Sequence, residues 1–251
     1  MKRALVLPMI LLVLAVCANA DIVGTIVVSG DSNIGNGIDG SAGATIADNG
    51  LFFRNLLGAG TTVAIRTTTN PDTLTEISSQ NAIIGYYTGL GKTVNQFSTV
   101  TAPGLAGASL FIGFLPDVDF TAAETTLIAN YLAAGGSVLL TGEWGSFDTL
   151  ADNHINALLT ALGSTLRISP ADLDLGVHVA TGSQIAADAL TVGIREFSYA
   201  ATSDVAGGTA LFYTTAGTPF MEYTSAVPEP SAIVLLLTAG LGAFAVRRRR
   251  A

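Results

Sequence analysis

Residues 109–141 read SLFIGFLPDVDFTAAETTLIANYLAAGGSVLLT. Ser109 to Leu115 is a short unbroken apolar run, the composition of a strand buried on both faces. Thr121 to Ala134 is predicted as a helix, with Thr121 as its N-cap and Glu124 three residues on completing a capping box. Gly135-Gly136 stops that helix, and Ser137 to Thr141 (SVLLT) is the next strand. A strand, a helix and a strand in this order build a right-handed βαβ unit, so the sheet should be parallel and covered on both faces.

The same alternation extends outward. Ile22 to Ser29 (IVGTIVVS) reads as a buried strand, and the glycine-rich Gly30 to Gly43 after it as a long loop. Ala47 to Leu57 carries Leu51, Phe52, Leu56 and Leu57 at helical spacing and ends at Gly58. Thr62 to Thr67 is a second strand, and Pro71 to Tyr87 a helix whose Leu74, Ile77 and Ile84 would share a core face. Lys92 to Val100 reads as a short strand. Downstream, Asp152 to Leu162 is a helix closed by Gly163, and beyond Leu166 the chain turns into strand-like pieces at 193–199, 210–215 and 219–224. The expected architecture is α/β: a three-layer sandwich with a mainly parallel sheet, of Rossmann or flavodoxin-like type. Residues 21–226 show no internal repeat and no dividing linker, and read as one exported domain.

Both ends of the sequence read as addresses. Lys2 and Arg3 precede the apolar Ala4 to Val16, and Ala18-Asn19-Ala20 offers small residues for a cut between Ala20 and Asp21, so residues 1–20 read as a signal peptide with a signal helix. The alternatives are a membrane span, interrupted by Pro8, and lipidation of Cys17, where Val16 is larger than the small residue expected before the cysteine. At the other end Val227, Pro228, Glu229 and Pro230 precede an uncharged Leu/Ala/Gly-rich stretch, Ser231 to Val246, and then Arg247, Arg248, Arg249 and Arg250. Such a stretch makes about 24 Å of helix, short of the roughly 30 Å hydrocarbon core, so it would anchor with help from snorkelling arginines. The arginines belong on the cytoplasmic side, which puts the preceding chain outside.

Motif, apolar helix and arginine cluster in this order, over residues 227–251, resemble the PEP-CTERM sorting signal of Gram-negative bacteria. The resemblance implies recognition by an exosortase, a membrane-embedded transpeptidase-like protease, after signal peptidase has acted at the other end. It also implies removal of the tail near Pro-Glu-Pro, after transient membrane anchoring, on the way to the cell surface, outer envelope or extracellular matrix. A plain tail anchor is the alternative.

Charge narrows the choice of partners. Between residues 4 and 246 five basic side chains stand against all 19 acidic ones, a balance of −14. No basic patch is available to neutralise a phosphate backbone, which excludes nucleic acid as the expected partner. Cys17 is the only cysteine, so a chain cut after residue 20 has no thiol for disulfides, thiolate metal sites or cysteine catalysis.

Residues 109–167, with Ala189 to Ile194, resemble the class I glutamine-amidotransferase-like fold, which has non-catalytic extracellular versions. That family places its cysteine nucleophile on the turn after a strand; here the turn is Thr141-Gly142-Glu143-Trp144-Gly145, with Glu143 at the nucleophile's position. Gly30-Asp31-Ser32 resembles the Gly-Asp-Ser block of GDSL-type esterases, whose serine is the nucleophile, which makes Ser32 the one catalytic candidate. Such a serine needs a histidine and an acid. His178 stands four residues after Asp174 rather than the family's three, and the Gly-x-Asn-Asp block is absent. Gly89-Leu90-Gly91-Lys92-Thr93 has the end of a phosphate loop but Tyr86 where the earlier glycine must be, and reads as a turn.

Asp31, Asp39, Asp117, Asp119, Glu143 and Asp148 fall in loops that a doubly wound sheet gathers at one edge. Carboxylates so gathered, Asp31, Asp117, Asp119 and Glu143 foremost, could hold calcium and make a calcium-dependent adhesion module; otherwise they are solvated surface acids. His154 reads as an exposed helix residue with no second histidine at ligand spacing. The abundant Ser and Thr suit a surface facing exopolysaccharide as well as they suit strands. No cofactor is expected, and the domain lacks a complete catalytic set. The expectation is therefore an exported surface or matrix protein that binds or scaffolds, with a Ser32 hydrolase as the competing reading.

Overall fold

The computed structural model describes residues 24–68 and 74–225, with the backbone alone at 74 and 75. The expected signal helix and the apolar tail helix, with Ala20, Asp21, Val227 to Pro230 and Arg247 to Arg250, lie outside the described residues.

In chain order the elements are β1 (Thr25–Ser29), α1 (Asn49–Leu57), β2 (Thr62–Arg66), α2 (Leu74–Gly89), β3 (Thr93–Phe97), the short α3 (Ala102–Leu105), β4 (Leu110–Phe114) and α4 (Ala122–Ala133). They continue with β5 (Ser137–Thr141), α5 (Gly145–Ala161), β6 (Arg167–Leu173), β7 (His178–Thr181), β8 (Glu196–Tyr199), β9 (Thr202–Ala206), β10 (Thr209–Tyr213) and β11 (Pro219–Ser225). Seven strands form one sheet in the order β10-β11-β1-β5-β4-β2-β3. The five from β1 to β3 in that order run parallel, while β11 runs antiparallel to β1 and β10 antiparallel to β11. Two small antiparallel pairs, β6 with β9 and β7 with β8, complete the fold.

Strand alternation divides the core between the two faces of the sheet. Val27, Ile65, Ile112 and Leu139 point to one face, against Phe52 and Phe53 of α1, Ile83 and Tyr87 of α2 and Phe197, Phe212 and Phe220. Ile26, Val28, Ala64, Phe111, Val138 and Leu140 point to the other, against Ile128 and Leu132 of α4 and Ile155, Leu158 and Leu159 of α5. The α/β three-layer sandwich and its mainly parallel sheet are as the sequence implies.

The Thr121 capping box is present in full: Glu124 N donates to Thr121 Oγ1 at 3.2 Å and Thr121 N donates to Glu124 Oε2 at 2.9 Å. The other oxygen of Glu124 accepts from Val100 N at 2.8 Å, so the cap also ties α4 to the end of the β3 segment.

Three local expectations are corrected. Gly30 to Gly43 is not an open loop: Asn33–Ile38 and Ser41–Gly43 form 3-10 turns, and Asp31 to Gly37 are buried. Its glycines serve close packing, since a Cβ on Gly30 would lie 2.2 Å from Ser203 O, and one on Gly35 2.3 Å from Ser79 O. The inward face of α2 is not Leu74, Ile77 and Ile84. Glu76, Ser79, Gln80, Ile83 and Tyr87 are buried, whereas Ile77 and Ile84 are half-buried and the Leu74 side chain is outside the described residues. Hydrogen bonding sets this face, because Ser79 Oγ donates to Ser32 O (2.5 Å) and accepts from Gly35 N (2.9 Å), pinning α2 to the 3-10 turn. Finally, α5 starts before Asp152. Asp148 breaks the helical backbone (φ −141°, ψ 72°) and its Oδ1 accepts from Ala151 N at 3.0 Å, capping the helix proper.

Candidate functional site at the edge between β1 and β5

β1 and β5 are adjacent and in register, with Ser29 opposite Thr141. The chain leaves β1 toward α1 on one face and leaves β5 toward α5 on the other. Divergence of neighbouring connections opens a crevice beyond the strand ends, the place where open α/β sheets take ligands. Asn33 and Asn36, from the turns after β1, and Trp144 and Phe147, from the chain after β5, line it.

The floor is a network of carboxyl groups. Asp31 accepts from two backbone amides, Asn33 N on Oδ1 (2.6 Å) and Ala200 N on Oδ2 (2.7 Å). Glu143 Oε2 accepts from Ser32 Oγ (2.5 Å) and Asn33 Nδ2 (3.1 Å), and Oε1 accepts from Trp144 N (3.2 Å). Behind them Asp152 Oδ1 accepts from Glu143 N at 3.0 Å. Ser203 Oγ lies 2.8 Å from Glu143 O and 3.2 Å from Asp152 Oδ2. Glu76 reaches in from α2 and hydrogen-bonds the Asn33 side chain.

Burial dominates the electrostatics. It pushes Asp31 up to about 7, against the pull of its backbone donors, and Asp152 likewise to about 7. Glu143 is driven well above the carboxylate range by burial first and by the charge of Asp31 second. Burial also raises Glu76, with a further push from Asp148. Ser203 Oγ faces both acceptors, and its hydrogen bond to Asp152, like the one from Glu143 N, pulls that carboxyl back toward its ordinary value. Burial outweighs these donors, so Asp152 stays raised.

Above this floor lies a cavity of 240 Å³ whose walls include Asn33, Asn36, Glu76, Trp144, Phe147 and Ser198. The Trp144 and Phe147 rings stack 6.1 Å apart at 14°. Ser198 is 1% exposed and its hydroxyl has no hydrogen-bond partner.

The sequence candidates fall into groups. Asp31, Ser32 and Glu143 are brought together, but as buried groups rather than surface acids. Ser32 is fully buried, its hydroxyl donates to Glu143, and neither histidine makes its polar contact with it: His154 Nδ1 faces Pro116 O at 2.9 Å, and His178 Nε2 faces Leu175 O at 3.3 Å. His154 is half-buried instead of exposed, with Nε2 3.7 Å from Asp119 Oδ1. Asp117 and Asp119 act on Arg66 rather than on Asp31, and Asp39 is an exposed residue whose Oδ1 accepts from Ser41 N. Among the described residues no three His, Cys, Asp or Glu side chains are grouped as a metal ion requires. Sequence reasoning missed Glu76, Trp144, Phe147 and Ser198. The position of the chain's single tryptophan immediately after a strand-end turn was the signal available.

The fold and its crevice define a doubly wound α/β domain with a switch-point cleft. The chain carries the PEP-CTERM protein-sorting motif, matched over residues 226–250. That motif indicates an exosortase-processed extracellular protein of a Gram-negative bacterium. No curated protein matches the chain. Among solved structures it is similar to the mmIFT52 N-terminal domain, at 20% identity and a TM-score of 0.43, over 52% of this chain and 70% of that one. Among the described residues no helix is long and apolar enough to cross a membrane.

Proposed function

We propose that the domain of this exosortase substrate is a non-enzymatic binding or scaffolding module of the cell surface or matrix, released by signal peptidase at one end and by exosortase at the other, with exopolysaccharide as a candidate partner. One observation carries the reading. The polar groups that could do chemistry, Ser32, Asp31 and Glu143, are wholly buried and hydrogen-bonded within the protein, while the cleft above them is lined by aromatic, amide and carboxyl side chains. A nucleophile must reach its substrate, and a serine without exposure or a histidine partner is poorly placed to do so.

The test is fractionation of the host with intact-mass analysis, alongside ester hydrolysis by the purified protein. The reading expects mature protein, cut after Ala20 and near Pro228 to Pro230, retained by envelope or matrix, and no turnover that depends on Ser32. Ester hydrolysis abolished by Ser32→Ala would establish the hydrolase reading, with Glu143 as the base in contact with the serine. Mature protein found only free in the medium, unbound to matrix, would overturn the binding role.

A further inference from the structure

The cleft between β1 and β5 combines features that a neutral ligand does not require together. Glu76 lines it at 5% exposure, and Asp31 and Glu143 stand behind Asn33. Asp148, at the cap of α5, acts on Glu76 from the other side. These four acids bear on the site together with Tyr199, which lines it, with Asp174, which accepts from the Tyr199 hydroxyl, and with His178, which stacks on its ring. Among the described residues none of the four acids forms an ion pair with Lys, Arg or His. The lining also includes the stacked pair Trp144 and Phe147, with Phe147 42% exposed. Ser198, buried in the lining, keeps a hydroxyl without a partner.

We propose that this cleft binds the ammonium group of a small organic cation, held against the Trp144–Phe147 pair and Glu76, with Ser198 Oγ completing the polar contact. An aromatic face attracts a cation through its quadrupole. A buried carboxyl without a counter-charge gains most from one. The cavity of 240 Å³ accommodates a group of choline size. Burial raises Glu76 and Asp31, which fits acids waiting for a positive partner, and it makes binding pH-dependent: an ionised floor attracts the cation and a protonated one does not. This inference rests on the binding role proposed above.

Trp144 is the only tryptophan, so its fluorescence reports on the cleft without a label. The full exported protein is titrated at pH 8 and pH 5 with choline, with its uncharged isostere 3,3-dimethylbutan-1-ol and with glucose, and calorimetry is run in parallel. Choline should bind about tenfold or more tightly than the isostere at pH 8 and more weakly at pH 5 than at pH 8. Glu76→Gln should remove that discrimination, and Ser198→Ala should weaken choline several-fold; circular dichroism checks that both variants are folded. Equal binding of choline and isostere, or choline binding unmoved by Glu76→Gln in a folded variant, overturns the proposal. Glucose bound in preference overturns the ammonium while leaving the binding role intact. Silence with all three compounds also overturns it, and retention by the host matrix then decides the broader role separately.

Discussion

Replacing Asp152 by asparagine should make the protein more stable at pH 8 and leave it unchanged near pH 4. The carboxyl is raised from an ordinary 3.8 to about 7. A carboxyl raised in the folded state contributes stability that is complete below its unfolded value and is lost as pH rises toward the folded one. The difference of about 3 units makes ionisation in the folded state cost up to roughly 4 kcal/mol at pH 8. Asparagine keeps the oxygen that accepts from Glu143 N and has no charge to bury, so it avoids the cost of ionisation. Recovering half of the cost, about 2 kcal/mol, would raise Tm by roughly 4–8 °C in a domain of this size. Urea denaturation followed by Trp144 fluorescence at several pH values measures it. Wild type should weaken between pH 4 and pH 7.5 and Asp152→Asn should weaken by about 2 kcal/mol less, the rest of the fall belonging to Asp31 and the other raised carboxyls. A variant destabilised by the same amount at pH 4.5 and pH 8 would show that Asp152 is an ionised acceptor and refute the reasoning.

Other outcomes follow from packing and sorting. Gly30→Ala places a Cβ 2.2 Å from a backbone oxygen of β9, which cannot swing aside, and should cost about 2–3 kcal/mol by chemical denaturation. Thr121→Ala removes the cap of α4 and should cost about 1 kcal/mol, with the earliest loss of amide protection in the first turn of that helix. Phe52→Ala empties the contact point of Phe53, Phe197 and Phe212 and should cost about 3–5 kcal/mol. Replacing Pro228 and Glu229 by alanine should leave a tail-bearing species in the membrane fraction, detected by intact mass.

The parallel sheet was legible because its signals are local. Apolar runs with β-branched residues, a capping box and paired glycines each identify an element without reference to distant chain. The site was only half legible for the complementary reason. Asp31 and Glu143 could be placed at strand ends, but their burial depends on Ala200, Asn33 and Ser203 arriving from other elements. Glu76 gave no sign in sequence, because a polar face on α2 looks like a solvent face until Ser79 is seen bonded to the turn after β1. Gly30 to Gly43 misled in the same way, since glycines that admit close neighbours and glycines that free a loop are spelled alike. The strands β6, β7 and β9 were missed because Pro170 and short lengths blur their period, and their stability comes from lying over the sheet.

The antiparallel pairing of β1 with β11 sets Thr25 opposite Ser225, two Cα atoms about 5 Å apart. Both ends of the described domain, Gly24 and Ser225, therefore lie at one pole of the molecule. The cleft opens at the other pole, a full strand away, roughly 17 Å of β1. The crevice is turned away from both of these ends, so chain that continues past either one sets out on the side opposite Glu76, Trp144 and Phe147.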